Sequence, residues 1–85
     1  MNLSDVTSKQ LGMMKHALGL DYSRKPYRNY YYTSSNHEGW NDLFNKGFAK
    51  VVPAEKEGKS YFFLTYEAVK LIYRKNITEK YYREL

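Results

Sequence analysis

The feature that most constrains the fold is a pair of β-prone segments separated by a short charged turn. Residues 49–53 read Ala-Lys-Val-Val-Pro, residues 60–64 read Ser-Tyr-Phe-Phe-Leu, and the turn at 55–59 reads Glu-Lys-Glu-Gly-Lys. Two runs rich in β-branched and aromatic residues, joined by charges and a glycine, are typical of a β-hairpin. The sequence therefore predicts an antiparallel hairpin at about 49–64.

The chain is short and unusually rich in aromatic residues. Its 85 residues are enough for one domain, 1–85, with a single core. Apolar residues make up 42% of the chain, as in globular proteins, and the aromatic residues comprise ten Tyr, four Phe and one Trp. A tyrosine can bury its ring and keep its hydroxyl at the surface. The composition therefore fits both a small core with polar edges and a binding surface.

The first helix is predicted from its two ends. Residues 7–10, Thr-Ser-Lys-Gln, have the form of a capping box, in which the first and last side chains bond each other's backbone amides. Gly19 can adopt the left-handed conformation that ends a helix. Between these signals, apolar residues recur at intervals of three and four, which predicts a helix over 8–18. Its apolar face comprises Leu11, Met14, Ala17 and Leu18.

The middle of the chain predicts a loop, a short strand and a second helix. Pro26 disfavours helical geometry at the residue before it, and the aromatic run after it favours a strand near 29–33. Alternation places Tyr30 and Tyr32 on one face and Tyr31 on the other. A second capping box at 35–38, Ser-Asn-His-Glu, predicts a helix over about 36–46 that ends at Gly47. Its apolar stripe comprises Trp40, Leu43 and Phe44.

The segment after the hairpin predicts a third helix. Thr65 can cap its start, and Val69, Ile72 and Tyr73 form its apolar face. Asn76 can end this helix and Thr78 can start a short terminal one, but one continuous helix is equally consistent with the pattern.

Two segments resemble parts of known proteins. Residues 41–50 are similar to the end of the second helix–turn unit in winged-helix proteins, and residues 61–68 resemble the segment that closes the wing. This resemblance implies an α+β fold, a small winged-helix-like domain of three or four helices with a short antiparallel sheet whose wing is the hairpin. Winged helices have two helices between the first strand and the wing, whereas only 36–46 is predicted to be helical here. Either a short helix lies near 21–28 or the fold is a truncated relative.

The chain as a whole resembles small proteins encoded by phages and prophages. The residues that carry this resemblance are Ala-Leu-Gly-Leu-Asp at 17–21 and Pro-Tyr-Arg-Asn at 26–29. The functions of those proteins are mostly unassigned, so the resemblance implies a setting rather than an activity.

Several classes of function are disfavoured. With no cysteine, the chain can form no disulfide or thiolate site. His16 and His37 are far apart in sequence and are expected to be surface or capping residues. No nucleophile–base pattern or glycine-rich phosphate loop is present, so neither catalysis nor a cofactor or metal is expected. No signal peptide or membrane-spanning run is seen, and we expect a cytoplasmic protein without membrane association.

The charge points to an anionic partner. The net charge is +5 and the isoelectric point is near 9.4. Residues 23–32 interleave cations with tyrosines, a pattern that suits phosphate and base contacts, although a solvated basic loop has the same pattern. The turn at 54–59 alternates in sign, as solubility devices do, and Glu38 and Asp42 would repel phosphate from the second helix. The candidate nucleic-acid-binding residues are Arg24, Lys25, Arg28, Asn41, Asn45, Lys46, Lys56 and Lys59.

The alternative function is protein–protein interaction through exposed tyrosines. In this interpretation the same scaffold forms a homodimer or modulates a host protein. The candidate contact residues are Tyr27, Tyr31, Tyr81 and Tyr82. The charge and the hairpin pattern favour nucleic acid over this alternative.

Overall fold

The computed structural model describes residues 1–85 and contains four helices and a three-stranded antiparallel sheet. A single 3-10 turn, Leu3–Asp5, precedes them. The helices are α1 (Ser8–Leu18), α2 (Glu38–Asn45), α3 (Tyr66–Tyr73) and α4 (Glu79–Arg83), and the strands are β1 (Tyr31–Ser34), β2 (Ala49–Pro53) and β3 (Lys59–Leu64). The α+β class is confirmed.

The predicted hairpin forms two of the three strands. β3 is the central strand, in the order β1-β3-β2, and both neighbours run antiparallel to it. Phe62 lies opposite Val51 on one side and Tyr31 on the other. Gly58, with φ of 80°, takes the left-handed conformation in the turn. The strand predicted near 29–33 lies slightly later, at β1.

Helix α1 has the predicted bounds. Thr7 Oγ1 accepts from the Gln10 amide at 3.0 Å, and Gln10 Oε1 accepts from the Thr7 amide at 2.9 Å. Gly19, at φ 77°, ends the helix. The predicted apolar face is buried except for Leu11, which is half-buried.

Helix α2 begins later than predicted, so the capping box at Ser35 is wrong. The N-cap is His37, whose Nδ1 accepts from the Trp40 amide at 3.3 Å. Ser35 instead prolongs the β1–β3 pairing, because its amide donates to the Gly58 carbonyl and its hydroxyl bonds that of Ser60.

The predicted stripe of α2 is also partly wrong. Trp40 and Leu43 are fully buried, but Phe44 is 46% exposed. Gly47, at φ 86°, turns the chain so that Phe48 occupies the core instead, at 1% exposure. The short helix therefore needs only two inward apolar side chains of its own.

The C-terminal segment forms two helices, which decides between the two alternatives. Thr65 caps α3 as predicted, and its Oγ1 accepts from the Ala68 amide. Arg74 ends α3 with a positive φ of 62°, and Thr78 caps α4. Of the predicted α3 face, Val69 and Ile72 are buried and Tyr73 is half-buried.

One apolar core lies between the helices and one face of the sheet. Its centre is the stacked pair Trp40 and Phe62, with ring centroids 5.5 Å apart. No helix lies between α1 and β1, since residues 21–28 comprise a turn, a bend and irregular backbone. The fold is thus compatible with a small winged-helix-like domain that has one helix, α2, between the first strand and the hairpin. None of the helices is long and apolar enough to cross a membrane.

Candidate functional site

The basic loop before β1 is held against the C-terminal end of α1. The amide of Tyr27 donates to the Leu18 carbonyl at 3.1 Å, and the amide of Tyr30 donates to the Ala17 carbonyl at 3.2 Å. Pro26 is fully buried beneath them. The last carbonyls of a helix have no partner within the helix, so this segment completes α1 and fixes the path of the chain into β1.

Arg28 takes part in the same contact. Its Nε and Nη2 donate to the His16 carbonyl at 3.2 and 2.7 Å, and its guanidinium carbon lies 5.4 Å from the ring centre of Tyr27 and 5.9 Å from that of Tyr30. Arg24 and Lys25 are exposed, and their side chains form no ion pair or hydrogen bond. Of the three predicted cations in this loop, Arg24 and Lys25 are therefore the two whose charge is uncommitted.

The polar residues of α2 are largely engaged within the protein. Asn41 Nδ2 donates to the carbonyls of Ser35 and His37, and Lys46 Nζ donates to the Asp5 carbonyl at 2.7 Å. Asn45 is exposed. Of the two asparagines predicted to contact nucleic acid from this helix, only Asn45 has an amide side chain free of hydrogen bonds within the protein.

Asp42 ties α2 to α1. Its Oδ2 accepts from Gln10 Nε2 at 2.8 Å and lies 2.9 Å from Lys46 Nζ. These two hydrogen bonds, that from Gln10 first, hold the pKa of Asp42 below its ordinary value. The negative charge on this helix is thus stabilised.

The two histidines have local roles, as predicted. His37 caps α2, and His16 Nδ1 lies 2.7 Å from Asp21 Oδ2. The hydrogen bond to His16 lowers the pKa of the Asp21 carboxyl.

The four tyrosines predicted to contact a protein partner differ in exposure. Tyr27 is 53% exposed and Tyr81 is 37% exposed, and the Tyr81 hydroxyl donates to the Pro26 carbonyl. Tyr31 is half-buried, with its ring 5.0 Å from that of Trp40. Tyr82 is half-buried and its hydroxyl donates to the Leu64 carbonyl at 2.8 Å. Tyr31 and Tyr82 therefore belong mainly to the packed interior.

The solvent-facing side of the sheet carries a cluster of rings that was not predicted from the sequence as a site. Helices cover one face of the sheet, and on the other face the ring of Tyr61 lies 5.0 Å from Tyr32, 6.4 Å from Tyr30 and 6.5 Å from Phe63, between ring centres. Period-two alternation in residues 59–64 was the signal for this face. The outer aromatic face, as we call it, comprises Tyr30, Tyr32, Tyr61 and Phe63.

Cations surround the outer aromatic face. Lys50 pairs with Phe63 across the strands, Lys59 lies two residues before Tyr61 on the same side, and Arg28 lies beside Tyr30. The predicted Lys59 is half-buried here, whereas the predicted Lys56 is exposed at the hairpin tip between Glu55 and Glu57. The three strands contain no Asp or Glu. The rim cations, as we call them, are Arg28, Lys50 and Lys59.

A groove of about 630 Å³ runs along one edge of the outer aromatic face. It is lined by Tyr27, Arg28, Asn29, Tyr30, Tyr61, Phe63 and Leu85. The groove therefore joins residues 27–30 of the basic loop to the sheet, whereas Lys25 lines a separate groove between α3 and α4.

Comparison of the chain with protein-family models, with curated proteins and with solved structures finds no match.

Proposed function

We propose that this protein is a non-catalytic accessory protein that binds nucleic acid in the cytoplasm of a host cell. The observation that carries the proposal is the charge pattern of the solvent-facing side of the sheet, whose strands bear Lys50 and Lys59 and no Asp or Glu. The uncommitted charges of Arg24 and Lys25 lie on the loop that leads into this sheet. A phage or prophage origin is part of the proposal and rests on the resemblance of residues 17–21 and 26–29.

Phosphate contacts are the main source of affinity in this proposal. A lysine or arginine without a carboxylate partner can neutralise a phosphate and release the counterion bound there, which favours binding at low salt. Arg24, Lys25 and the hairpin lysines satisfy that condition, whereas Lys46 is paired with Asp42. The proposal therefore assigns the contact to the loop and the sheet, with α2 as a scaffold.

A second candidate function is interaction with a protein, either another copy of this chain or a host protein. The observation that favours it is the exposure of two tyrosines, Tyr27 in the basic loop and Tyr81 on α4. The Tyr81 hydroxyl donates to the carbonyl of Pro26, which precedes Tyr27. Large amphipathic rings are enriched in protein interfaces. Such a contact would depend weakly on salt and would be visible as a dimer or a complex in solution.

The test is the salt dependence of retention on immobilised nucleic acid. Wild-type protein and the variants Arg24→Glu and Lys25→Glu are compared on single-stranded DNA, duplex DNA and heparin columns between about 50 and 200 mM salt. We expect each charge reversal to lower the salt concentration needed for elution. Arg28 is unsuitable for this test because it also caps α1.

Lys9→Glu is the matched control. Lys9 is exposed and lines a groove that also contains Glu38 and Asp42, so the same change in net charge occurs beside acidic residues. We expect its elution to stay close to that of the wild type. Failure of the wild type to bind any of the three columns at about 50 mM salt would exclude the proposal, as would equal effects of Lys9→Glu and Arg24→Glu.

A further inference from the structure

The rings of the outer aromatic face differ from the structural tyrosines in how their hydroxyls are used. Tyr66, Tyr81 and Tyr82 donate to backbone carbonyls of the protein. The hydroxyls of Tyr30, Tyr32 and Tyr61 have no partner within the protein, and these side chains are 48%, 43% and 38% exposed. Their exposed rings and hydroxyls are therefore available for contacts outside the chain.

Tyr61 is the centre of this surface. Its ring contacts three others, and the nearly parallel pair is Tyr61 and Phe63, with an interplanar angle of 26°. Along the neighbouring strand, Val52 lies opposite Tyr61 and is 51% exposed, so the row continues across β2. Tyr32, Tyr61 and Phe63 lie on paired strands of the sheet, and the amide of Tyr30 is bonded to the Ala17 carbonyl, so the backbone beneath the rings is held in place without a ligand.

The positive charges of the rim cations favour a polyanion over a second copy of this chain as the ligand of the outer aromatic face. A second copy of this chain would bring the rim cations of both copies together, and like charges that approach in an interface cost free energy. A polyanion would be attracted to them. Among polyanions, single-stranded nucleic acid also presents the flat faces of its bases, which stack on aromatic side chains in the grooves of proteins that bind it.

We propose that the outer aromatic face binds single-stranded nucleic acid, with bases stacked on Tyr32, Tyr61 and Phe63. The rim cations contact the phosphates on either side of the stacked bases. The inference rests on the proposed nucleic-acid-binding function and adds the form of the nucleic acid and the place where its bases bind. A duplex is disfavoured, because the faces of its bases are already stacked on one another.

The experiment measures fluorescence anisotropy of a labelled single-stranded DNA of about 12 nucleotides, within the range of site sizes that stacking proteins use. A labelled hairpin duplex is measured under the same conditions, at about 50 mM salt. Tyr61→Val removes the central ring and keeps a β-favouring residue. Tyr61→Phe keeps the ring, and Phe44→Leu is the matched control because Phe44 is also an exposed aromatic residue, on α2 and away from the sheet.

We expect the single strand to bind more tightly than the duplex, and Tyr61→Val to weaken its binding by about 5- to 150-fold, the range for loss of one stacked base. We expect Tyr61→Phe and Phe44→Leu to bind the single strand as tightly as the wild type does. Stacking also shifts the ring proton resonances of Tyr61 upfield in the NMR spectrum when the single strand is added. Should Tyr61→Val fail to fold, Tyr32→Val on the edge strand replaces it.

The outcomes separate this inference from the function on which it rests. Salt-dependent binding in which the duplex is preferred and Tyr61→Val matches the wild type would overturn the stacking site and leave nucleic-acid binding standing. Absence of binding to either form at about 50 mM salt would remove both. A wild-type dimer that Tyr61→Val dissociates, without single-strand binding, would show that a second copy covers the face.

Discussion

The side chain of Asn29 bonds both backbone groups of Leu64. Its Oδ1 accepts from the Leu64 amide at 2.8 Å, and its Nδ2 donates to the Leu64 carbonyl at 3.0 Å. The pairing of Tyr31 with Phe62 would bring residue 29 opposite residue 64 if β1 continued. The backbone has instead turned to α1, where the Tyr30 amide bonds Ala17. The amide side chain thus replaces a missing rung of the sheet.

We expect Asn29→Ala to destabilise the protein by about 1–3 kcal/mol, because it leaves a buried backbone amide without its partner. The measurement is the free energy of unfolding from urea titration. Asn45→Ala is the control, because Asn45 is exposed, and its effect should lie within about 0.5 kcal/mol of zero. Equal effects of the two substitutions would contradict the role assigned to Asn29.

The junction between α1 and the basic loop depends on a glycine. Gly19 has a φ of 77°, and a Cβ at this position would overlap the ring of Tyr27, lying 2.6 Å from its Cζ. We expect Gly19→Ala to cost about 1–2 kcal/mol for the left-handed conformation and about 1–3 kcal/mol more for the overlap. Thermal unfolding should show a large fall in Tm.

Two comparisons separate the contributions at Gly19. Gly47 has a φ of 86° with open space at the Cβ position, so Gly47→Ala should show the backbone cost alone. In a Gly19→Ala, Tyr27→Ala double variant the overlap is gone, and its loss of stability should be smaller than the sum of the single losses. Additive losses would mean that the Tyr27 ring moves aside freely.

Local rules explain what the sequence predicted well. A capping box and a C-terminal glycine lie at fixed distances from the helix that they bound, and both signals are present around α1. The hairpin is also local, because its strands are joined by a short turn. Alternation likewise predicted that Tyr31 faces away from Tyr30 and Tyr32, which the packing of Tyr31 on Trp40 confirms.

Tertiary contacts explain what the sequence did not predict. His37 caps α2 in place of Ser35, because the backbone of Ser35 is bonded to the end of the hairpin turn at Gly58. Nothing within residues 35–38 encodes that contact. Phe44 and Phe48 are both suited to the core, and only the turn at Gly47 selects Phe48. The outer aromatic face was missed for the same reason. Alternation groups rings on one side of a strand but does not reveal which side the helices leave open.

The contact between α1 and α2 should make stability depend on pH in the acidic range. The pKa of Asp42 is lowered in the folded protein, so its charged form favours folding above the pKa of the unfolded chain. That contribution is lost as the pH falls through the folded-state pKa, below about 4. We expect the stability difference between wild type and Asp42→Asn to be constant near neutral pH and to shrink in acid.

Urea titrations at a series of pH values from about 7 to 3 measure this difference. Glu57→Gln, at the exposed tip of the hairpin, removes one negative charge without touching the contact with Gln10 and serves as the control. Parallel pH profiles for wild type and Asp42→Asn would show that the charge of Asp42 contributes nothing to folding.

The end of α3 carries backbone strain that substitution can relieve. Arg74 is the one residue other than glycine with a positive φ, and its amide closes the helix by donating to the Lys70 carbonyl at 2.9 Å. Glycine adopts this conformation without the steric cost that a Cβ imposes. Arg74→Gly should therefore raise the free energy of unfolding by about 0.5–1 kcal/mol, or Tm by a few degrees.

Arg74→Ala removes the same charged side chain and keeps the strain, so the Gly variant should be the more stable of the two by about 1 kcal/mol. Equal stability of the two variants would mean that the junction between α3 and α4 relaxes to another conformation at no cost.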